Sequence, residues 1–378
     1  MITLLPVLAA ATVLEKLFGS ETVHEYIYGA WWFVLLWAVL GVSALGYIFT
    51  AFSGALTHLK THGLSVRPIW YGVFFHCSLS VILLGALVTY LSADRGYVHI
   101  RQTETVHSYL SDEETEQPLP FGVKLLLFDI EYHPDTDIPA DYISFLQVDG
   151  ETVMVSMNKI FKRQAYRFYQ MDYDADEMGV VLLVSRDPWG IGITYAGYLL
   201  LAVSMALLLW LRIGWKGILC LLIPVTGAGW YISSINPMTP VLRSPMLALH
   251  VSVIAVSYLL LLAITILSVV AISYTKHREQ LYRLNIRLLY PALFLLAAGI
   301  FIGAMWANIS WGRYWGWDAK ETWALITLLV YALPLHRKSL TFFKNTGNFH
   351  RYCIIAFLSI LITFFGVSFF IGGIHSYM

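Results

Sequence analysis

The sequence predicts an all-α polytopic membrane protein of about nine transmembrane helices, with one small external antiparallel β domain. Three observations carry that expectation. The 378-residue chain is 58% hydrophobic and only 13% charged. Its apolar runs approach the roughly twenty residues that a helix needs to cross a bilayer. A single long polar interval, residues 93–188, breaks the apolar pattern and alternates with the period of strands. A net charge of zero and the lack of any basic stripe exclude a nucleic-acid binder.

Taken in order, the runs lie near 1–17, 30–52, 70–92, 190–212, 216–235, 246–273, 288–307, 322–336 and 352–373. MITLLPVLAAATVL has neither a basic leader nor an A-x-A site, so it reads as a retained first helix. Lys and Arg gather after the even-numbered runs: Lys60 and Arg67; Arg212 and Lys216; Lys276 to Arg287; and Arg337 to Arg351. That side is cytoplasmic by the positive-inside rule. The N-terminus is then inside, the C-terminus outside. Within Ala93–Pro188, the segments VKLLLFDIEY, YISFLQVDGETVMVSM and GVVLLVSRD read as strands, with Asp149-Gly150 as a type I′ hairpin turn. SDEETEQPLP at Ser111–Pro120 reads as a solvated loop. Cys77, Cys220 and Cys353 all fall in apolar runs and read as small buried hydrophobes.

Four histidines fall in or at the ends of apolar runs, where an ionisable side chain is a functional candidate. His250 and His375 sit at the outer level, with the tryptophan-rich stretch WGRYWGWDAKETWALI between them in sequence. His76 and His336 sit toward the cytoplasmic side. Each alone fits a packing residue bonded to a neighbouring carbonyl equally well. Two pairs at two depths suit six-coordinate haem iron better, and zinc would want a cluster that the sequence lacks. A porphyrin is a flat apolar plate with carboxylates on one edge. Trp306, Trp311, Trp315, Trp317, Trp323 and Tyr314 offer aromatic faces, and Arg313 and Lys320 offer cations for the rim. An interfacial aromatic belt is the competing reading of the same stretch. Gly312 and Gly316 favour an irregular loop, in which Asp318 and Glu321 pair locally.

The run GAMWANISWGRYWGWDAKETWALITLLVYALPLHRK resembles the tryptophan-rich "WWD" signature of haem-handling membrane proteins, as carried by CcsA (ResC) of system II cytochrome c biogenesis. PVLRSPMLALHVSVIAVSYLLL and TFFGVSFFIGGIHSYM resemble that family's segments bearing the two external histidines. LEKLFGSETVHEYIYGAWWFVLLWAVLGVSALGYIF, FFHCSLSVILLGALV and RDPWGIGITYAGYLLL resemble the partner component CcsB (ResB). The chain thus resembles a natural CcsB–CcsA fusion. Residues 1–92 and 189–213 are CcsB-like helices, 93–188 the β domain, and 214–378 a CcsA-like domain with its tryptophan loop at 306–323. The β domain is shorter than is usual for CcsB.

The resemblance implies a function. Haem b is a transported substrate, held by His76 and His336 and then, with His250 and His375 as axial ligands, under the loop residues including Asp318. It is presented to an apocytochrome c bearing CxxCH for thioether attachment, the reaction of a cytochrome c haem lyase (holocytochrome c synthase). A thiol-reducing thioredoxin-like partner belongs to the same picture, as does a bacterial inner membrane with the loop facing the periplasm. The alternatives left open are a dihaem b-type electron-transfer protein and a transporter that binds no haem.

Overall fold

The computed structural model describes residues 3–62, 67–235, 240–337 and 339–371. Among them, six helical stretches are long and apolar enough to cross a membrane: Trp31–Gly54, Gly72–Ser92, Gly190–Ser233, Pro245–Ser273, Thr275–Ser310 and Thr346–Ile371. This is an integral membrane protein. The helices are α1 (Leu4–Phe18), a short α2 (Ser20–Val23), α3 (Trp31–His62), α4 (Arg67–Ser92), α5 (Gly190–Ser233), α6 (Pro245–Ser273), α7 (Arg278–Ser310), α8 (Ala319–Ala332) and α9 (Thr346–Leu361). A π-helical turn, His24–Tyr28, leads into α3, and another, Ile362–Ile371, extends α9.

Nine crossings were expected, and the difference has a geometric origin. Helix α5 is continuous except at Gly214, whose φ of 65° and ψ of −179° leave the helical region. Its first limb packs Leu201 and Met205 on Ala297 of α7, while Tyr195 meets Asn308 higher on the same helix. Its second limb packs Val225 on Val253 and Val256 of α6. The chain therefore descends, reverses at the Arg212–Lys216 corner and returns, so one helical stretch holds two apolar limbs. Only α1 and α8 fall short. At 15 and 14 residues, each spans roughly 20 Å, against a hydrocarbon core of about 30 Å. They pack together, with Leu4, Leu8 and Ala11 against Ile326.

Helices α4 and α5 touch backbone to backbone. A Cβ at Gly85 would lie 2.7 Å from the Thr194 amide nitrogen, and one at Gly190 would lie 2.7 Å from that of Thr89. Small residues permit this approach where no water drives helices together. An apolar run does not guarantee burial inside the protein, since lipid is apolar too. Cys353 is buried, but Cys77 is only half-buried and Cys220 is exposed.

Between α4 and α5 lies one antiparallel sheet of eight strands in the order β5-β4-β3-β2-β1-β8-β7-β6. They are β1 (Asp94–Arg101), β2 (Thr105–Ser111), β3 (Glu116–Tyr132), β4 (Pro139–Val148), β5 (Glu151–Ser156), β6 (Phe161–Arg163), β7 (Tyr166–Tyr173) and β8 (Gly179–Arg186). Val123, Leu125, Leu146, Phe168 and Leu182 are buried in one core. The sheet curls until Ser144 of β4 donates to Gln170 of β7 at 2.6 Å. Asp149 and Gly150 both have positive φ, 50° and 84°, which the tight β4–β5 turn requires.

The acidic stretch is not all loop. Glu116, Gln117 and Pro118 pair with Leu110, Tyr109 and Ser108 of β2. β4 begins pairing with β3 only at Val123. Pro118 therefore sits where one side of the strand is unpaired and its missing N–H costs no ladder bond. Only Asp112–Thr115 of that stretch remain outside strands.

Candidate functional site

His250 lies in the second turn of α6, and its Nδ1 is 2.7 Å from the Gly299 carbonyl oxygen of α7. A carbonyl can only accept, so Nδ1 carries the proton and Nε2 the lone pair. The ring fits because α7 has glycine opposite: a Cβ at Gly303 would lie 2.6 Å from both Cε1 and Nδ1 of His250. Gly299 and Gly303 form a small-xxx-small seam against α6. Sequence reasoning missed them, although a G-x-x-x-G pair in an apolar run was a legible signal.

His76 and His336 follow the same rule through their own helices. His76 Nδ1 is 2.8 Å from the Gly72 carbonyl, and His336 Nδ1 is 3.1 Å from that of Ala332. Both therefore keep the basic lone pair on Nε2. His76 is half-buried, its ring 4.4 Å from that of Tyr47, and His336 is exposed in the turn after α8. The two imidazoles lie within electrostatic reach of one another. His375 lies outside the described residues.

The tryptophan loop connects α7 to α8. Its exit is fixed by a capping box: the Lys320 amide donates to Asp318 Oδ2 at 3.0 Å, and the Asp318 amide donates to Glu321 Oε2 at 3.3 Å. Glu321 Oε2 also accepts from the Gly316 amide at 2.8 Å. Asp318 and Glu321 thus shape the loop through its backbone, and Asp318 is buried. Arg313 folds back over Gly316, where a Cβ would meet its guanidinium carbon at 2.9 Å. Lys320 is half-buried on the first turn of α8.

The aromatic rings do not form one flat shelf; they point in several directions. Trp306 is buried and meets Trp311 edge-on at 4.8 Å. Trp315 packs on the core shared by α6, α7 and α9. Trp317, at a φ of 56°, stacks on Tyr28 at 4.9 Å and 9° and meets Phe33 edge-on at 5.0 Å. Trp323 donates its indole N–H to Thr12 of α1 at 3.0 Å. Tyr314 turns to α5, edge-on to Tyr195 at 5.7 Å, with a buried hydroxyl that has no partner among the described residues. Burial pushes that phenol well above its usual pKa.

The sheet sits directly on this loop. Gly312, at a φ of 69°, approaches β7 and β8 so closely that a Cβ would lie 2.8 Å from Leu183 and 3.1 Å from Tyr169. Ser310 donates to Asn158 of the β5–β6 turn at 3.1 Å, and Asn158 donates to the Pro240 carbonyl at 2.8 Å. Arg95 of β1 approaches the Trp311 carbonyl at 3.5 Å. Nothing in the local sequence of the β strands announced this docking. Among the described residues, no cluster of three His, Cys, Asp or Glu could hold a metal ion.

Residues 70–190 match the ResB-like family, and residues 192–375 match the cytochrome c assembly protein family. The two matches meet at the start of α5 and together cover most of the chain. The chain belongs to the system II cytochrome c biogenesis family as a ResB–CcsA fusion. Protein NrfI of Wolinella succinogenes is 42% identical to the fusion over 164 residues, 39% of this chain and 18% of NrfI. The cytochrome c biogenesis protein CcsA of Chlamydomonas reinhardtii is 35% identical over 156 residues, 38% of this chain and 43% of that protein. CcsA of Guillardia theta is 33% identical over 172 residues, 37% and 56% respectively. The fusion thus matches less than two thirds of the length of each of these relatives. His76 falls in the ResB-like part; Gly303, His250, His336 and the tryptophan loop fall in the assembly part.

Proposed function

We propose that the fusion carries haem from the cytoplasmic to the external face and presents it to an apocytochrome c for covalent attachment. The observation that carries this reading is that His76 and His336, one imidazole from each family segment, lie close enough for their charges to interact. Neither segment alone holds that pair. Both rings keep the lone pair on Nε2, the nitrogen best placed to face iron, with Nδ1 anchored to a carbonyl. His250 repeats the arrangement at the outer level, and His375 is proposed as its partner.

In this reading the sheet and the tryptophan loop lie outside, and the N-terminus lies in the cytoplasm. Trp306, three residues beyond Gly303 on α7, and Trp311, at the end of that helix, meet edge-on. Trp315, Trp317 and Trp323 anchor the loop to the helices around it, and Asp318 and Lys320 hold its exit. The cargo is haem b with its iron between two imidazoles. The client supplies CxxCH; each cysteine S–H adds across one vinyl C=C, sulfur bonding one carbon and the proton going to the other, with no net redox change. Such an addition needs chiefly positioning, which a rigid loop and two axial ligands provide. A thioredoxin-like reductant would keep the client thiols reduced.

Purified protein should carry substoichiometric, exchangeable haem with a bis-imidazole spectrum. His250→Ala or His375→Ala should alter that spectrum and abolish c-type cytochrome assembly in a reconstituted cell. Normal assembly in both variants would sink the proposal. Two tightly held haems in every preparation would instead identify a resident dihaem electron-transfer protein.

A further inference from the structure

The seam between the sheet and the tryptophan loop gathers more positive charge than its partners neutralise. Arg95 of β1 and Arg167 of β7 lie near the Tyr169 phenol, Arg167 lies near Tyr314 as well, and Arg313 of the loop lies near Arg95. Arg95 and Arg313 are close enough for their charges to oppose each other. Arg167 and Arg95 both act on the buried Tyr169 hydroxyl, and Arg167 acts on Tyr314 as well. Burial lowers the pKa of the Arg95 guanidinium, Asp112 opposes that shift and Arg313 adds to it. The other carboxylate near Tyr314 is Asp187. It is already engaged by the Thr89 hydroxyl at 2.7 Å and by the amides of Trp189 and Gly190 at 3.3 Å and 2.7 Å.

Three buried polar groups at this seam have no hydrogen-bond partner among the described residues: Arg95 Nε and the hydroxyls of Tyr169 and Tyr314. Buried donors are ordinarily satisfied, and like charges are not ordinarily packed together without an anion. Position adds to the argument. Trp311, whose carbonyl Arg95 approaches, stands eight residues beyond Gly303 on the α7 axis, roughly 12 Å at the helical rise. Gly303 lies against the His250 ring. That separation is comparable with the distance from a haem iron to its carboxylates.

We propose that the sheet completes the outward haem site: Arg95 and Arg167 join Arg313 and the Tyr314 hydroxyl in binding the two propionate carboxylates of a porphyrin whose iron is held by His250. This rests on the haem-handling reading above and deepens it. The short external domain then serves the cargo directly, setting which edge of the porphyrin faces the sheet. The vinyl edge, opposite the carboxylates, is left turned away from the arginines for a client's thiols.

The test compares haem with its dimethyl ester, which keeps the iron and the ring but lacks the negative charges. Binding of each to the full-length protein in a neutral detergent is followed by the Soret band. Wild type should prefer haem. Arg95→Gln and Arg167→Gln should each weaken haem binding by roughly tenfold, the scale of a charge-assisted hydrogen bond, and leave binding of the ester unchanged. Unchanged ester binding also shows that the variants fold. Arg95→Lys should recover part of the loss. If wild type binds both ligands equally with a bis-imidazole spectrum, the arginine proposal fails while the haem reading stands. If wild type binds neither, the haem reading itself fails and this proposal with it. A headgroup phosphate offers the same charge, so the titration is repeated with an anionic phospholipid. If the substitutions change lipid binding and leave the haem preference intact, the proposal is overturned.

Discussion

Replacing Gly303 by alanine tests whether the α6–α7 seam exists to seat an imidazole. The new methyl would lie 2.6 Å from Cε1 and Nδ1 of His250 and 3.4 Å from Cγ. Ordinary carbon contacts are about 3.5–4.0 Å, so the overlap is roughly 1 Å. The ring cannot swing away freely, because Nδ1 is held 2.7 Å from the Gly299 carbonyl. Either the bond is given up, at about 0.5–1.5 kcal/mol, or α7 moves off α6, at about 1–3 kcal/mol for overpacking. Both routes move Nε2 by on the order of 1 Å, while metal–ligand distances tolerate about 0.2 Å. Gly303→Ala should therefore lower thermal stability modestly and lose the bis-imidazole Soret signature as His250→Ala does. Gly299→Ala is the comparison, since its methyl would meet Cδ1 and Cγ1 of Ile254 at 2.5 and 2.7 Å rather than the imidazole. That variant should be destabilised with its spectrum kept. A wild-type spectrum for Gly303→Ala beside a lost one for His250→Ala would refute the reasoning.

The remaining expectations concern how the loop is held. Gly312→Ala forces a side chain into a left-handed backbone and against Leu183 and Tyr169; a cost of about 2–4 kcal/mol should appear as faster proteolysis at the sheet–loop seam. Asp318→Ala removes the cap of α8 and should cost about 0.5–2 kcal/mol, read as faster hydrogen exchange at the Lys320 amide. Trp317→Ala empties the pocket between Tyr28, Phe33 and Trp37 and should cost about 3–5 kcal/mol in a thermal melt. Trp323→Phe loses one hydrogen bond to Thr12 and should cost no more than about 1.5 kcal/mol by the same melt.

Much of the helical framework was legible because membrane crossing is written into composition and run length. The runs at 190–212 and 216–235 reappear as the two limbs of α5 on either side of Gly214. The β4–β5 hairpin was legible because Asp149-Gly150 specifies its own turn. Glu116–Pro118 misled because charge suggests a loop, whereas an unpaired strand side tolerates both charge and proline. Cys220 misled because apolar surroundings mean protein in a soluble core and lipid in a membrane.

The candidate site divides along the same line. His76, His250 and His336 could be picked out by their place in or beside apolar runs, since an imidazole there stands out in any single sequence. Their tautomers could not, because those depend on which carbonyl faces each ring. Gly303 belongs to the site only because α7 packs its glycine seam on α6.

By itself, the sequence determined that this chain spans a membrane, carries one antiparallel sheet, and has histidines within or beside its apolar runs and a tryptophan-rich stretch. These are properties of local pattern, and local pattern needs no neighbour. Only the tertiary structure decided that Trp317 and Trp323 bind the N-terminal helices, that the sheet rests on Gly312, and that Arg313 comes near Arg95. Those contacts join residues up to 311 positions apart, and no periodicity within a segment encodes its partner.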